Sequence, residues 1–352
     1  MRRTSLRFAL LVLALAPGTW LRSDIKDSAP VAVSMQKLEG PNESVQEGWR
    51  LEGLWKYEAD HLWFGGFSAL IATGDGRLRA FSDRGMRFTL VEPDKPQPRQ
   101  QAGQKHHPAR NIVRQLVAPH RRDDLLDIES ATRDPQTGQY WLGFEGVHTI
   151  HRFKVDSSID GLIPIRDPLV WGDNSGAEAM VRLDDGRFLV LPEGRRNTLM
   201  YPSDPVEGAQ PERFMYKTPL ASYAAVDAAQ LPDGRLLLLL RNVEYGWPPF
   251  ASALAIGPRP PVEQDGPYAP EVVLDLNTVL PNENYEGLAV RSRDDGKLDV
   301  WIISDDNQSV IQRTLLAKLT FDPAWKSAQE TAQPQKHKPA KQKAREQTSH
   351  AF

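Results

Sequence analysis

The stretch "GAEAMVRLDDGRFLVLPEGR", residues 176–195, decides the fold. Two apolar runs flank Asp185-Gly186. Asp-Gly between apolar runs is the strongest short-range hairpin signal, because the turn needs positive φ. Working outward, the chain holds four more hairpins of the same design. Their first strands are "GFSALIA" (66–72), "DIESATR" (127–133), "AVDAAQL" (225–231) and "NYEGLAV" (284–290). Their turns are "GDGRL" (74–78), "QTGQY" (136–140), "PDGRL" (232–236) and "DDGKL" (294–298), beside "DDGRF" (184–188) in the opening stretch. The matched first-strand positions Ser68, Glu129, Glu178, Asp227 and Glu286 lie 61, 49, 49 and 59 residues apart. A period of about 50 with several strands per unit predicts a β-propeller.

The strand count agrees. The first unit supplies four strands, ending with "NIVRQLVA"; the last supplies only "YEGLAV", "LDVWIIS" and "LLAKLTF". A spare strand, "RLEGLWKYEA" (50–59), precedes the first unit. Pairing it with the last unit closes the ring and removes the open edges. The expectation is an all-β, single five-bladed propeller closed by an N-terminal strand. Six blades is the alternative, if 100–127 or 257–275 hides a degenerate blade. The domain reading is a signal peptide at 1–18, an N-terminal linker at 19–49, the propeller at 50–325 and a disordered basic tail at 326–352.

Composition narrows the function. Among 352 residues there is no cysteine, which excludes disulfides, thiolate metal sites and a cysteine nucleophile. Arg2, Arg3 and Arg7 precede the short apolar run "FALLVLALA" (8–16), the pattern of an export signal. That run is too short for a comfortable permanent span, and an uncleaved anchor is the minority outcome. The chain's net charge is −3; residues 1–18 carry +3 and residues 326–352 carry +4, so the body carries −10. An acidic body argues against nucleic acid and suits cation binding. The expected setting is periplasmic or secreted, as a monomer acting on a small molecule.

The acids form two series. Glu129, Glu178 and Glu286 interrupt apolar first strands, as does Asp227, while Ser68 stands at the matched place in the first unit. Four of the five second strands end on an acid, Asp83, Glu145, Glu193 or Asp305, and the fourth ends on Arg241. In an antiparallel hairpin the start of the first strand and the end of the second share one edge. Inner strands line the channel, so both series are expected to meet at one channel mouth. Such a ring cannot stay ionised and unpaired; it needs raised pKa values, arginines such as Arg84, Arg195 and Arg241, or bound metal. His148 and His151 point to opposite faces of a strand and make a poor shared metal site.

At "FGGFSAL…FSDRG", "LLDIESAT…WLGFEG", "GAEAMVRLDDGRFLVLPEGR" and "NYEGLAV…IISDDN" the chain resembles the phytase-like family, described as having the esterase-like activity of phytase. The resemblance covers about residues 62 to 310 and implies an exported propeller and a phosphoester or ester hydrolase. It implies calcium by analogy with the β-propeller phytases. Ser68 and Arg241 depart from the pattern of acids. The candidate metal ligands are Glu129, Glu178, Glu286, Asp83, Glu145, Glu193 and Asp305. Glu129, Glu178 or Glu286 serves as ligand or general base, and Arg84, Arg195 and Arg241 hold phosphate oxygens. A gluconolactonase-type lactonase is the second enzyme reading; a ligand- or protein-binding propeller with structural acids is the non-enzyme one.

Overall fold

The computed structural model describes residues 31–39, 44–46, 48–59, 64–95, 112–115, 127–165, 171, 176–192, 197–244, 249–307, 309 and 311–324. The leader at 1–18, the tail at 326–352, His106-His107, Glu193 and Arg195 lie outside these residues.

Five antiparallel sheets form five blades. Their innermost strands are Phe67–Ala72, Ile128–Arg133, Ala177–Arg182, Ala224–Gln230 and Asn284–Ser292. Each packs against the next, and Asn284–Ser292 packs back on Phe67–Ala72, so the ring is closed. The 257–275 stretch supplies the outer strand of the fourth blade, Glu271–Asp275, and not a sixth blade. Within 100–127 the strand Ile112–Gln115 completes the first blade next to Met86–Val91.

Each turn forms for the reason its sequence gives. Gly76, Gly138, Gly186, Gly234 and Gly296 all have positive φ, between 76° and 89°. Such backbone is open to glycine without a steric penalty. Asp185, Asp233 and Asp295 each accept the N–H two residues on, from Arg187, Arg235 and Lys297. Those bonds hold the turn before any tertiary contact exists.

The core is divided into five seams between neighbouring blades. Leu237, Leu239 and Leu254 of the fourth blade meet Val300, Ile302 and Leu315 of the fifth. Phe67, Phe88 and Leu90 of the first meet Trp301 and Leu316 of the fifth. The seams between first and second, second and third, and third and fourth blades have the same character. Because both faces of every blade are covered, the central strands read as unbroken apolar runs, as in "LLLLL" at 236–240.

Strand Trp49–Glu58 is the closure. It pairs with Thr314–Phe321 from Thr314 opposite Tyr57 to Phe321 opposite Trp49, with a one-residue register shift between Lys318 and Leu319. Its side chains serve both seams of the fifth blade: Trp49, Leu51 and Leu54 on one face, Trp55 and Tyr57 on the other. Trp49 stacks on Phe321 at 4.3 Å, and Tyr57 meets the edge of Phe88 at 5.4 Å. Upstream, Ser34–Leu38 pairs on the outside of this strand, and Val31–Ala32 pairs with Ile112–Gln115 of the first blade.

The closure predicts a contrast between two truncations. Loss of residues 1–59 strips an interior strand and should lower the melting temperature by tens of degrees or abolish folding. Loss of residues 330–352, which lack apolar anchors, should leave melting unchanged. Thermal denaturation of the two chains checks this; equal melting points would contradict the closure's role.

Candidate functional site

The inner strands are not regular. In each of them the register slips by one residue near the start, which leaves a single residue unpaired in a β-bulge. The bulged residues are Ser68, Glu129, Glu178 and Glu286 in the first, second, third and fifth blades. A bulge re-aims a side chain out of the strand's alternation. This explains how three glutamates fit inside apolar strands: each sits where the strand ceases to be regular.

The fourth blade differs. Its bulge falls at Val226, between Ala225 opposite Leu240 and Asp227 opposite Leu239. Asp227 is therefore one residue out of phase with Glu286, and the two do not hold equivalent places as their matched sequence positions predict. Asp227 faces inward, buried, where its carboxylate accepts the N–H of Leu288 at 2.6 Å and of Ala228 at 2.7 Å. It joins strands around the channel and leaves the mouth of its blade without an acid. Burial pushes its carboxyl well above the usual range, against the pull of these N–H groups and that of Leu70.

The remaining described acids do meet. Asp127, Glu129 and Glu145 place one carboxylate oxygen each within 4.8 Å of one another. Glu129 is pushed well above the usual range, first by burial, then by the charges of Glu178, Glu286, Asp127 and Glu145. Asp83 is pushed up to about 7 by burial and by Asp127, Glu286 and Asp306, with Arg84 pulling the other way. Asp305 is raised by burial and by Glu286, Asp83 and Asp306. Thus Asp83, Glu129, Glu145, Glu178, Glu286 and Asp305 form one electrostatically linked cluster drawn from four blades.

Sequence reasoning overlooked Asp127 and Asp306. Asp127 has φ 73°, a backbone state that Asn and Asp tolerate better than most residues. Its carbonyl accepts the N–H of Glu145, which locks the second blade's two acids together. Burial raises its carboxyl. Asp306 accepts the N–H of Gly66 at 3.0 Å and the hydroxyl of Thr314 at 2.8 Å. A signal was present in both cases: an Asp opens "DIESATR", and a second Asp doubles Asp305. Glycines admit the acids. A Cβ at Gly65 would strike the Asp306 carboxylate, one at Gly66 the Asp83 carboxylate, and one at Gly176 the Glu145 side chain.

The arginines are engaged within the cluster. Arg241 bonds Glu286 and donates to Asn284 Oδ1 at 2.9 Å, while Asn284 donates to Glu286 at 2.9 Å. Arg84 lies 4.0 Å from Asp83. Arg87 reaches Ser157, away from the acids. His148 lies in a turn and His151 contacts Thr149 at 3.0 Å.

The family model described as Phytase-like, with the esterase-like activity of phytase, matches residues 62–308. The chain belongs to the phytase-like family. The matched span contains every acid of the mouth, from Asp83 to Asp306, and leaves out the closing strand, the short strands before it and the last strand, Thr314–Phe321. No curated protein matches the chain. Among solved structures it is similar to a gluconolactonase from Xanthomonas campestris, at 11% identity over 85% of this chain and 99% of that one, with a TM-score of 0.42. It is similar to a luciferin-regenerating enzyme, at 11% identity over 82% and 95% of the two chains, TM-score 0.38. A virginiamycin B lyase from Staphylococcus aureus gives 11% identity over 82% and 99%, TM-score 0.37.

The crowding of this phytase-like mouth sets the sign of its pH dependence. Asp83, Asp127, Glu129 and Asp305 all have folded pKa values above their unfolded ones. The folded chain therefore binds protons more tightly, and that stabilisation is complete below about pH 4 and is lost as pH rises toward and past 7. With divalent cations stripped, the melting temperature should fall between pH 5 and pH 8. Glu129→Gln removes one charge from the centre and should flatten that slope. A wild-type melting temperature that rises over this interval would contradict the assignment.

Proposed function

We propose that the acidic mouth binds a divalent cation, calcium, and that the protein is an exported hydrolase of phosphoester or carboxylic ester bonds. One observation carries the reading: Asp127, Glu129 and Glu145 converge to within 4.8 Å, surrounded by further acids from three other blades. Calcium binds oxygen at about 2.3–2.6 Å, so oxygens around one ion stand up to about 5 Å apart. The spacing of the three acids fits that limit. An all-oxygen set with irregular geometry suits calcium better than zinc, which prefers imidazole and thiolate.

In this reading Asp127, Glu129 and Glu145 hold the ion. When bound, it neutralises the acids and draws the oxygens of an anionic or polarised ester to the mouth. Glu178 stands next to this trio, buried, and takes the role of proton acceptor from water. Glu286 is held by Arg241 and Asn284, which orient it and take up its carboxylate. Arg84 and Arg241 partly offset the negative charge and steady the acids. The leader pattern at 1–18 supports placing this chemistry in the periplasm or outside the cell, where weak calcium sites are filled.

Calorimetric titration of cation-free protein with calcium should give saturable heat. The melting temperature should rise with calcium as the ion binds only the folded chain, worth about 3 kcal/mol at a hundredfold excess over the dissociation constant. Glu129→Gln should remove most of that heat. Turnover of p-nitrophenyl phosphate, p-nitrophenyl acetate and a δ-lactone, each with and without calcium, tells the ester classes apart. Glu178→Gln should lower the rate by about a hundredfold or more while sparing calcium binding. Absent calcium heat, with no turnover on any substrate, would favour a binding propeller whose acids are structural.

A further inference from the structure

The opposite end of the channel holds a second feature. Where the inner strands run out beside their Asp-Gly turns, all five blades line a cavity of about 480 Å³. That volume is in the range of small-molecule sites. Its wall is apolar toward the axis, from Leu70, Ala131, Val181, Ala228 and Leu288, and polar at the rim. None of its lining residues belongs to the acidic mouth. Between the two ends, Asp227 joins the inner strands of the fourth and fifth blades through the N–H of Leu288.

The charges at the rim are unequally matched. Asp134 is satisfied by the N–H of Gln136 at 2.8 Å and by Arg182 at 3.4 Å. Asp184 is held by Arg259 and by Gln230. Arg133 is the exception. Its backbone pairs with Tyr140, but among the described residues its side chain makes no hydrogen bond or ion pair, although it lines the cavity. Its guanidinium lies between two blade turns, where a Cβ at Gly74 or Gly138 would come within 3.5 or 3.6 Å of Nη2. Asp75 and Asp134 act on it only through space, and Arg291 repels it. Arg291 itself is spent on Glu92 and on the carbonyls of Thr73 and Arg77. Burial lowers the pKa of Arg133, and the through-space pull of Asp134 and Asp75 does not restore it.

A guanidinium offers a planar fork that matches carboxylate or phosphate oxygens, and a partly desolvated one gains most from such a partner. From this geometry we infer that the cavity binds a small organic oxyanion, its charged group on Arg133 and its apolar body against the channel wall. The shared chemistry is the oxyanion, carboxylate or phosphate monoester. The inference stands apart from the cation reading of the other mouth, because no residue is common to both sites.

The test uses full-length protein freed of metal on a chelating resin, so that no anionic chelator competes. The background carries Glu129→Gln, which disables the proposed cation site. Phenyl phosphate, benzoate and inorganic phosphate are titrated by calorimetry and by melting temperature. At least one of the two aryl oxyanions should bind saturably and raise the melting temperature, and which of them binds more tightly identifies the headgroup. Inorganic phosphate should bind more weakly than phenyl phosphate, because it leaves the apolar wall uncovered. Arg133→Gln should weaken binding by about tenfold or more, and Arg133→Lys by less, since lysine keeps the charge but not the fork. Without the Glu129 change, Arg133→Gln should respond to calcium as the wild type does. The proposal is overturned if neither aryl oxyanion binds, or if Arg133→Gln binds as tightly as the unaltered chain. Should Arg133→Gln melt before the titration, the comparison rests on Arg133→Lys, and unchanged affinity there would equally sink it.

Discussion

Everything in this molecule depends on one antiparallel pairing, that of Trp49–Glu58 with Thr314–Phe321. A five-bladed ring has five seams, and each blade buries its faces only if both neighbours are present. The seam between the last and first blades is reached by the chain only after the whole ring is made. The closing strand commits large side chains to both faces of the fifth blade, so the ring gains its last two seams together. Ion pairs reinforce the joint. Lys318, buried in the fifth blade, holds Asp94 of the first at 2.6 Å and Asp299 at 2.9 Å. Arg291 reaches the fully buried Glu92 at 2.6 Å. Buried pairs of this kind are weak contributors to net stability, but removing one partner strands a charge, so they oppose a misplaced register.

With the ring fixed, the bulges decide where charge can go. A regular inner strand would turn its side chains alternately into two seams, and a carboxylate there would face hydrocarbon. The single-residue slip frees Glu129, Glu178 and Glu286 from that alternation and aims them at the mouth. The result is electrostatically costly: at least eight acids, including Asp83, Asp127, Glu145, Asp305 and Asp306, share a small volume with Arg84 and Arg241. The raised carboxyls of Asp83, Glu129 and Asp305 express that cost, and it is a cost that a divalent ion or bound protons can relieve. Close glycine backbone at 65, 66 and 176 leaves no room for side chains that would spread the acids apart.

The channel is thus polar in two senses, with carboxylates at the bulged starts of the inner strands and a spare guanidinium beyond their ends. Asp227 marks the division. One residue's shift of the bulge in the fourth blade moves this acid from the mouth to the interior, where it accepts backbone N–H groups that channel-facing strand edges leave unpaired. Arg241, at the end of that blade's second strand, answers the missing acid with the opposite charge and binds Glu286.

The blades were legible in the chain because turn chemistry is local. Asp-Gly at 185–186, 233–234 and 295–296 needs only its own backbone to favour a hairpin, and the spacing of such hairpins gave the ring, the blade number and the closing strand. The meeting of Glu129, Glu178 and Glu286 with Asp83, Glu145 and Asp305 followed from hairpin geometry alone. What the chain could not disclose was phase and partnership. Asp227 and Glu286 look equivalent in sequence, since each follows a short residue run into an apolar strand. A bulge is set by how two strands register under packing from both seams, and that is decided only in the folded sheet. Asp127 and Asp306 join the mouth because backbone from other parts of the ring brings them there, Asp127 through Glu145 and Asp306 through Gly66. Arg133 reads as one more strand-end arginine beside Arg182 and Arg291. Only the tertiary structure gives those two their partners and, among the described residues, leaves the Arg133 side chain without one, because ion pairs depend on the approach of residues from separate blades.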